Sequence, residues 1–209
     1  NKSILIEGIK NIDQIDINNA NQLGYKIKLI GVAETNNNKI TQRVHPALIK
    51  NNSYTAKIGG VLNAVVIEST PVGQSVLQGE GAGPGPTTSS LVSDLCSVLR
   101  GNIKFPFVIS DKKRKFASFQ TIDDKKFSVY LRLDVKDKHG ILSDIAKVMA
   151  KNKVSIKRLI QKPTENKKNA SIIIITHDAK SSSFVKILYS LKNKEYIVNA
   201  PKFIRIEEI

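Results

Sequence analysis

The chain has 209 residues, of which 41% are hydrophobic, enough for one large domain or two small ones with a buried core. Its formal net charge is +15, a value that raises the question of nucleic-acid binding. The lysines are spread along the whole chain, and only residues 112–115 form a tight basic run. No aromatic side chains interleave with that run as a base-stacking surface would require, so we expect no nucleic-acid partner.

Cysteine content and hydropathy narrow the class of protein further. The single cysteine, Cys96, excludes an internal disulfide framework, and its apolar neighbours favour a buried thiol. No apolar run reaches the length of a membrane span, and the first residues lack the features of a secretory signal. We therefore expect a cytoplasmic protein with no membrane partner.

The first half of the chain predicts a small number of regular elements. These are a helix over residues 12–23 and strands over residues 25–33, 41–44 and 63–70. Gly24 follows the helix as a left-handed cap would, and residues 36–38 are Asn-Asn-Asn, which is typical of a turn. We predict a mixed sheet with helices on one face, forming a first domain over residues 1–106.

The densest glycine run lies at residues 79–90, between a strand-like segment and an amphipathic one at residues 91–99. Glycines let a backbone approach a ligand closely, and a helix start presents free N–H groups and a positive dipole end. Thr87 and its two neighbours can cap that helix or donate hydroxyls to a ligand. The phosphate-binding lysine is absent, and Pro84 interrupts the dinucleotide fingerprint. The residues alone leave a ligand-binding loop and a simple turn equally open.

The first half offers no recognisable catalytic constellation. Its acidic residues are not spaced as a pair for acid–base chemistry, and no cluster has the spacing of metal ligands. His45 could donate to a substrate or hold an interface, and a surface or packing role is favoured. We therefore predict no metal site and no catalytic residue in this chain.

The second half has clearer periodicity. Residues 107–126 contain the basic run and few periodic apolar positions, so they predict a linker, with a short strand at residues 105–109 that overlaps its start. The predicted elements that follow are strands at 127–135, 154–160, 172–176 and 203–206, and helices at 141–151 and from residue 181. A polar turn at residues 165–169 joins the two central strands. This order is the ferredoxin-like β-α-β-β-α-β arrangement over residues 127–209, and the fold class is α+β.

A sheet of that kind carries helices on one face only. Its other face and its edge strands need cover, which favours pairing with a second copy. We therefore predict a homo-oligomer.

The segment LDVKDKHGIL at residues 133–142 resembles the ACT domain, a small regulatory module that binds amino acids. The family favours an acidic residue, then a Pro-Gly pair, then two aliphatic residues, and here His139 replaces the proline. The resemblance implies an amino-acid effector site at the turn into the first helix. Its candidate residues are Asp137, His139, Gly140, Ile141 and Leu142. The alternative, that these are loop and core positions, stays open.

Several motifs in the first half occur in the order found in the C-terminal portion of the homoserine dehydrogenase catalytic region. These motifs are EGI at 7–9, LGYKIKLIGVA at 23–33, RVHP at 43–46, NAV at 63–65, GEGAG at 79–83 and PTTSSLVSDL at 86–95. Residues 5–100 therefore resemble that family, and the ACT-like segment strengthens the resemblance. It implies a substrate and dimerisation domain that is present here only in part.

The resemblance also implies what lies elsewhere. The family has an N-terminal Rossmann domain and an Asp-x-Gly-x-Asp-x-x-x-Lys run with the catalytic aspartate and lysine, and neither occurs here. We expect a fragment whose catalytic groups lie upstream and which is inactive alone. In the family the glycine loop contacts NADP or NAD, which implies cofactor contacts at Gly81, Ala82, Gly83 and Thr87.

The intact enzyme would interconvert L-homoserine and L-aspartate 4-semialdehyde in threonine and methionine biosynthesis. The alternative is a non-enzymatic regulatory or dimerisation module that binds an amino-acid effector. The sequence does not distinguish NADP from NAD and does not identify the effector.

Overall fold

The computed structural model describes residues 4–102, 110–114, 117–164 and 168–209. The helices are α1 (Gln14–Gln22), α2 (Tyr54–Lys57), α3 (Pro84–Leu99), α4 (Ile141–Lys151) and α5 (Ser181–Lys192). The strands are β1 (Ile4–Ile6), β2 (Tyr25–Asn36), β3 (Lys39–Lys50), β4 (Leu62–Ser69), β5 (Gly73–Glu80), β6 (Ser118–Phe119), β7 (Lys126–Lys136), β8 (Ile156–Pro163), β9 (Asn169–Thr176), β10 (Ala179–Lys180) and β11 (Lys202–Glu207). The predicted strand at 105–109 and most of the predicted turn at 165–169 lie outside the described residues.

Within these residues the strands form a nine-stranded mixed sheet and a separate hairpin. The main path of the large sheet runs β1-β3-β11-β7-β9-β8, with β2 and β6 also paired to β3, and β10 paired to β7. Strands β4 and β5 pair only with each other. The mixed α+β class predicted from the sequence is confirmed.

The contacts divide the chain into two compact units. One unit combines the residues up to Asn51 with Ser118–Glu208 and contains the whole nine-stranded sheet. The other unit covers Asn52–Ala117 and contains α2, the β4–β5 hairpin and α3. These units group residues differently from the predicted domains 1–106 and 127–209, whose boundaries stay a prediction.

The ferredoxin-like order is found over β7-α4-β8-β9-α5-β11, as predicted. Helix α4 has the predicted bounds because Ile141, Ile145 and Met149 recur on one face and all three are buried. The core below α4 and α5 is built from alternate residues of β7, which point to the helical face. Helix α5 was predicted to be capped by a serine, but Lys180 occupies the cap position and no side chain caps the helix.

The opposite face of this ferredoxin-like sheet is covered by α1 of the same chain. Ala20 of α1 is fully buried in a cluster with Tyr130, Ile173 and Ile204. Polar contacts reinforce the layer, because Arg132 on β7 donates from Nε to Asp16 at 2.7 Å, and both side chains are buried. We predicted that a second copy would cover this face. Instead, α1 of the same chain covers it.

A parallel pairing between β3 and β11 joins the two halves of the sequence in one sheet. Residues Arg205, Ile206 and Glu207 pair with residues 47–49, while β7 pairs with the other side of β11. We call this β3–β11 pairing the seam. Sequence periodicity predicted both strands, although β3 extends beyond the predicted residues 41–44 and passes through Pro46.

None of the described helices has both the length and the apolar character needed to cross a membrane.

Candidate functional site

The glycine loop connects the hairpin strand β5 to helix α3. The backbone N–H of Gly81 donates to the carbonyl oxygen of Val61 at 3.0 Å, which fixes the start of the loop. A Cβ on Gly81 would lie 1.6 Å from Nδ2 of Asn63, so no larger residue fits without displacing that amide. Gly83 has φ of +116°, a backbone conformation that is essentially restricted to glycine. Local packing and backbone geometry therefore both require glycines here.

The helix behind the loop begins earlier than predicted. Gly83 is its N-cap and Pro84 its first residue, a position that suits the fixed φ of proline. The first turn of a helix normally leaves its N–H groups free. Pro84 and Pro86 have no N–H, so Gly85 is the only donor among the first three residues of α3. Its N–H and those of Ala82 and Gly83 have no hydrogen-bond partner within the described residues.

Thr87 lies one turn into α3 rather than at its cap. Its Oγ1 donates to the carbonyl oxygen of Gly83 at 2.8 Å, and its backbone N–H reaches the same oxygen at 3.3 Å. The hydroxyl therefore closes the first turn and keeps only its acceptor capacity for a ligand. Of the four predicted cofactor-contacting residues, Ala82 and Gly83 present free backbone donors.

Helix α3 has apolar side chains but no buried residue. Its exposed apolar residues are Leu91, Val92, Leu95, Val98 and Leu99. The neighbouring hairpin also exposes Val65 and Leu77, which pair across its two strands. Cys96, which we predicted to be buried, is only partly so.

All five residues predicted for an effector site line one cavity. This cavity has a volume of about 810 Å³ and opens at the turn between β7 and α4. Its lining residues are Val135, Lys136, Asp137, Lys138, His139, Gly140, Ile141, Leu142, Gln161 and Ile172. We call it the α4 cavity. Sequence reasoning missed Gln161, because β8 carries no motif that connects it to the turn.

Two features give the α4 cavity its polarity. The carboxylate of Asp137 accepts a hydrogen bond of 3.4 Å from Nε2 of Gln161. Gly140 is the N-cap of α4 with φ of +84°, and it provides no side chain to cap the helix. The acidic residue of the first turn, Asp144, faces away toward Tyr196 and Lys194, whose hydrogen bonds and charge lower its pKa. The first N–H groups of α4 are therefore left open to the cavity.

A buried ionic cluster crosses the seam. Arg43 on β3 donates from Nε and Nη2 to the two carboxylate oxygens of Glu207 on β11, at 2.6 and 2.8 Å. Arg43 also donates to Glu34 at 2.9 Å, and Lys125 contacts the other oxygen of Glu34. His45, predicted to be a surface or packing residue, is completely buried. The two nitrogens of its ring lie 3.0 Å from the carbonyl oxygen of Pro46 and 3.1 Å from Glu207.

The neighbouring charges of this cluster lower the pKa of the Glu207 carboxyl strongly. Burial alone would raise its pKa, but hydrogen bonds and charge from His45 and Arg43 outweigh burial and lower the pKa to about 2. The carboxylate is therefore ionised at neutral pH. The guanidinium of Arg43 also lies 5.5 Å from the ring centroid of Phe127, and that of Arg205 lies 5.7 Å from it. Arg43, His45 and Glu207 are buried, while Glu34 and Lys125 are partly exposed, which is the arrangement of a structural ion-pair network.

No group of three or more histidine, cysteine or acidic side chains within the described ranges is arranged to hold a metal ion. The predicted absence of a metal site stays a prediction for the chain as a whole.

Two family models match the chain in sequence order. Residues 1–96 match the model described as homoserine dehydrogenase, and residues 129–193 match the ACT domain. A homoserine dehydrogenase of Helicobacter pylori is 33% identical over 206 residues, which cover 99% of this chain. The chain is similar to homoserine dehydrogenases along nearly its whole length. A second homoserine dehydrogenase, from Neisseria gonorrhoeae, is 33% identical over 98% of the chain.

A solved structure shows the same similarity. The crystal structure of a homoserine dehydrogenase from Thiobacillus denitrificans superposes with a TM-score of 0.87 at 29% identity, covering 99% of this chain. Our chain covers 48% of that protein and 48% of each of the two relatives above. It therefore spans about half the length of the homoserine dehydrogenases it matches.

Proposed function

We propose that the chain is part of a homoserine dehydrogenase that interconverts L-homoserine and L-aspartate 4-semialdehyde using NADP or NAD. The proposed place of this reaction is threonine and methionine biosynthesis in the cytoplasm. The observation that carries the proposal is the matched homoserine dehydrogenase segment, residues 1–96, which contains an exposed glycine loop with unpaired backbone donors. The catalytic aspartate and lysine expected from the resemblance are not in this sequence.

The geometry of the loop suits an uncharged carboxamide group better than a pyrophosphate. A helix start normally binds phosphate through several N–H groups. Here Pro84 and Pro86 have no N–H, so the N–H of Gly85 is the one free donor among the first three residues of α3. The adjacent free donors are the N–H groups of Ala82 and Gly83. A bound nicotinamide would supply the hydride acceptor or donor. In this proposal the loop residues hold its carboxamide by hydrogen bonds, and the absence of a Cβ at Gly83 permits close approach.

Nuclear magnetic resonance of the ¹⁵N-labelled chain with NADPH tests the cofactor surface. We expect shifts concentrated at Ala82, Gly83 and Gly85, and at least tenfold weaker binding in the Gly83→Val variant. Gly79→Ala is the matched control, because a Cβ at Gly79 meets nothing within 4 Å and its φ is not positive. Unchanged NADPH binding by Gly83→Val would refute the proposed contact. Measurable homoserine oxidation by the isolated chain would refute the prediction that it is inactive alone.

A second candidate function is a regulatory module that binds an amino acid and performs no chemistry. The α4 cavity favours it, because all five predicted effector residues lie together there. Calorimetry with threonine, serine and methionine, followed by NADPH, separates the two functions. Amino-acid binding without NADPH binding supports the regulatory module.

We also propose that the protein is a homo-oligomer, with the exposed apolar surfaces of α3 and the β4–β5 hairpin among the faces available for contact. Sedimentation velocity on the purified chain tests this. A single monomeric species at concentrations up to about 100 μM would contradict it, because an oligomer with a dissociation constant of about 1 μM is mostly assembled at that concentration.

A further inference from the structure

The α4 cavity is more positively charged than a site for a neutral amino acid requires. Lys136, Lys138 and His139 all line it, and Asp137 is its one acidic residue. Neither lysine forms an ion pair with any side chain in the described part of the chain. The open N-terminus of α4 adds the positive end of a helix dipole to the same space.

A zwitterionic amino acid would use only part of this charge. Asp137, held by Gln161 at 3.4 Å, can accept from a ligand ammonium group. The uncapped N–H groups of α4, which start at Ile141, can donate to a ligand α-carboxylate. These two contacts balance the two charges of the zwitterion. The ammonium groups of Lys136 and Lys138 then remain without a counter-charge, and the ring of His139 adds a hydrogen-bonding group beside them.

The size of the cavity allows for a larger ligand as well. A volume of about 810 Å³ lies in the upper part of the range for small-molecule sites, roughly 300–1,000 Å³. The apolar part of the lining comes from Val135, Ile141 and Ile172, which lie toward the core. Ammonium recognition, carboxylate recognition and a surplus of cations therefore occur in one space with room for a side chain.

We infer that the α4 cavity binds an α-amino acid whose side chain carries a second anionic group, a carboxylate or a phosphate. This inference rests on the proposed regulatory role of the cavity and specifies the ligand class. Asp137 binds the ammonium group, the N-terminus of α4 binds the α-carboxylate, and Lys136, Lys138 and His139 bind the anionic side chain. The replacement of the usual proline by His139 supplies one of these donors.

Calorimetry with matched ligand pairs tests the charge requirement. The pairs are L-aspartate with L-asparagine, which differ mainly in side-chain charge, and O-phospho-L-serine with L-serine, which differ by the phosphate group. We expect at least one anionic member to bind tenfold or more tightly than its neutral partner. Raising NaCl from about 50 to 300 mM should weaken that binding more than any neutral binding, because salt screens exposed charges. The two pairs separate a carboxylate ligand from a phosphate ligand.

Variants assign the roles of individual residues. Lys136→Met combined with Lys138→Met should remove the preference for the anionic ligand and leave neutral binding unchanged. Asp137→Asn should weaken both members of a pair. Lys186→Met is the matched control, because this exposed lysine lies on α5 and does not line the cavity.

Three outcomes would overturn the inference. Equal affinity for the charged and neutral members of both pairs would exclude the anionic side-chain contact, while the proposed amino-acid binding would stand. Inorganic phosphate that binds as tightly as phosphoserine would exclude recognition of the amino-acid moiety. If threonine, serine, methionine and the four paired ligands all fail to bind, both the inference and the regulatory role are refuted.

Discussion

At the scale of single residues, Glu207 is a buried carboxylate whose hydrogen-bond partners lie on the neighbouring strand β3. Its carboxylate receives three hydrogen bonds, two from Arg43 and one from His45. Removing one member of a buried ion pair leaves the other charge uncompensated. The energetic importance of Glu207 therefore comes from the groups that would be left unpaired without it.

Glu207→Gln should lower the free energy of unfolding by about 3–5 kcal/mol, because Arg43 keeps its buried charge, loses its buried counter-ion and retains only the partly exposed Glu34. Urea unfolding followed by circular dichroism measures the change. The control is Glu208→Gln, since Glu208 pairs with Lys50 on the surface and both side chains are exposed. The control midpoint should not move. A shift in Glu207→Gln no larger than in the control would show that the buried pair contributes nothing net.

The lowered pKa of Glu207 makes this contribution depend on pH. The folded-state pKa is about 2 and the ordinary value is 4.5, so the stabilisation is complete above about pH 4.5. It is lost as pH falls from 4.5 toward 2, because the unfolded state then binds a proton that the folded state excludes. Unfolding free energies of wild type and Glu207→Gln, measured between pH 2 and 6, should converge as the pH falls. Parallel curves over that range would contradict the assigned pKa.

Sequence reasoning could not find this cluster. His45 and Arg43 lie in a motif noted for its family resemblance, but Glu207 lies 164 residues from Arg43. Nothing in the spacing of one sequence connects residues that far apart. The five residues predicted for an effector site lie within six positions of one another, at the turn where the resemblance to the ACT domain placed them, and all five line the α4 cavity.

At the scale of elements, the predictions succeeded where periodicity is local. Helix α4 was predicted with its observed bounds, because its apolar face is continuous and Gly140 begins it. Helix α3 was predicted too short at its N-terminus, because its first turn contains two prolines and a glycine, which are typical of a loop. The pairing of β3 with β11 had no local signal, since register between distant strands depends on tertiary packing.

Gly140, the N-cap of α4, has a left-handed backbone conformation that favours glycine. Gly140→Ala should destabilise the protein by about 1–2 kcal/mol, because φ of +84° is unfavourable for a residue with a Cβ. The space around the residue is open, so the cost is conformational and not steric. Gly8→Ala is the control, because its surroundings are also open and its φ is not positive. Thermal unfolding of both variants measures the difference, and equal midpoints would contradict the conformational explanation.

At the scale of the whole molecule, the ferredoxin-like sheet depends on the first fifty residues. These residues supply α1, which covers one face through Ala20, and β3, which pairs with β11. An ACT-like module is expected to be a self-contained element, but here one face and one edge are completed from outside it. The matched ACT segment, residues 129–193, is therefore smaller than the structure that stabilises it.

Residues 118–209 produced alone should be less stable than the full chain and should self-associate. The reason is that Ile173 and Ile204 lose the cover of α1, and the backbone of β11 loses its partner on one side. Thermal unfolding and light scattering coupled to size-exclusion chromatography measure both effects, with the full chain as the control. A monomeric fragment with an unchanged midpoint would show that the module folds independently.

The seam also determines when the large sheet can be completed during protein synthesis. Residues 43–49 leave the ribosome long before residues 205–207, so β3 must wait for more than 150 further residues to be translated before it gains its parallel neighbour. Until then Arg43 has no Glu207 beside it. At roughly 5–20 residues per second, this interval lasts about ten to thirty seconds. During this interval the nascent chain exposes the edge of β3 that later pairs with β11. This is when the chain offers a chaperone its largest unpaired strand edge.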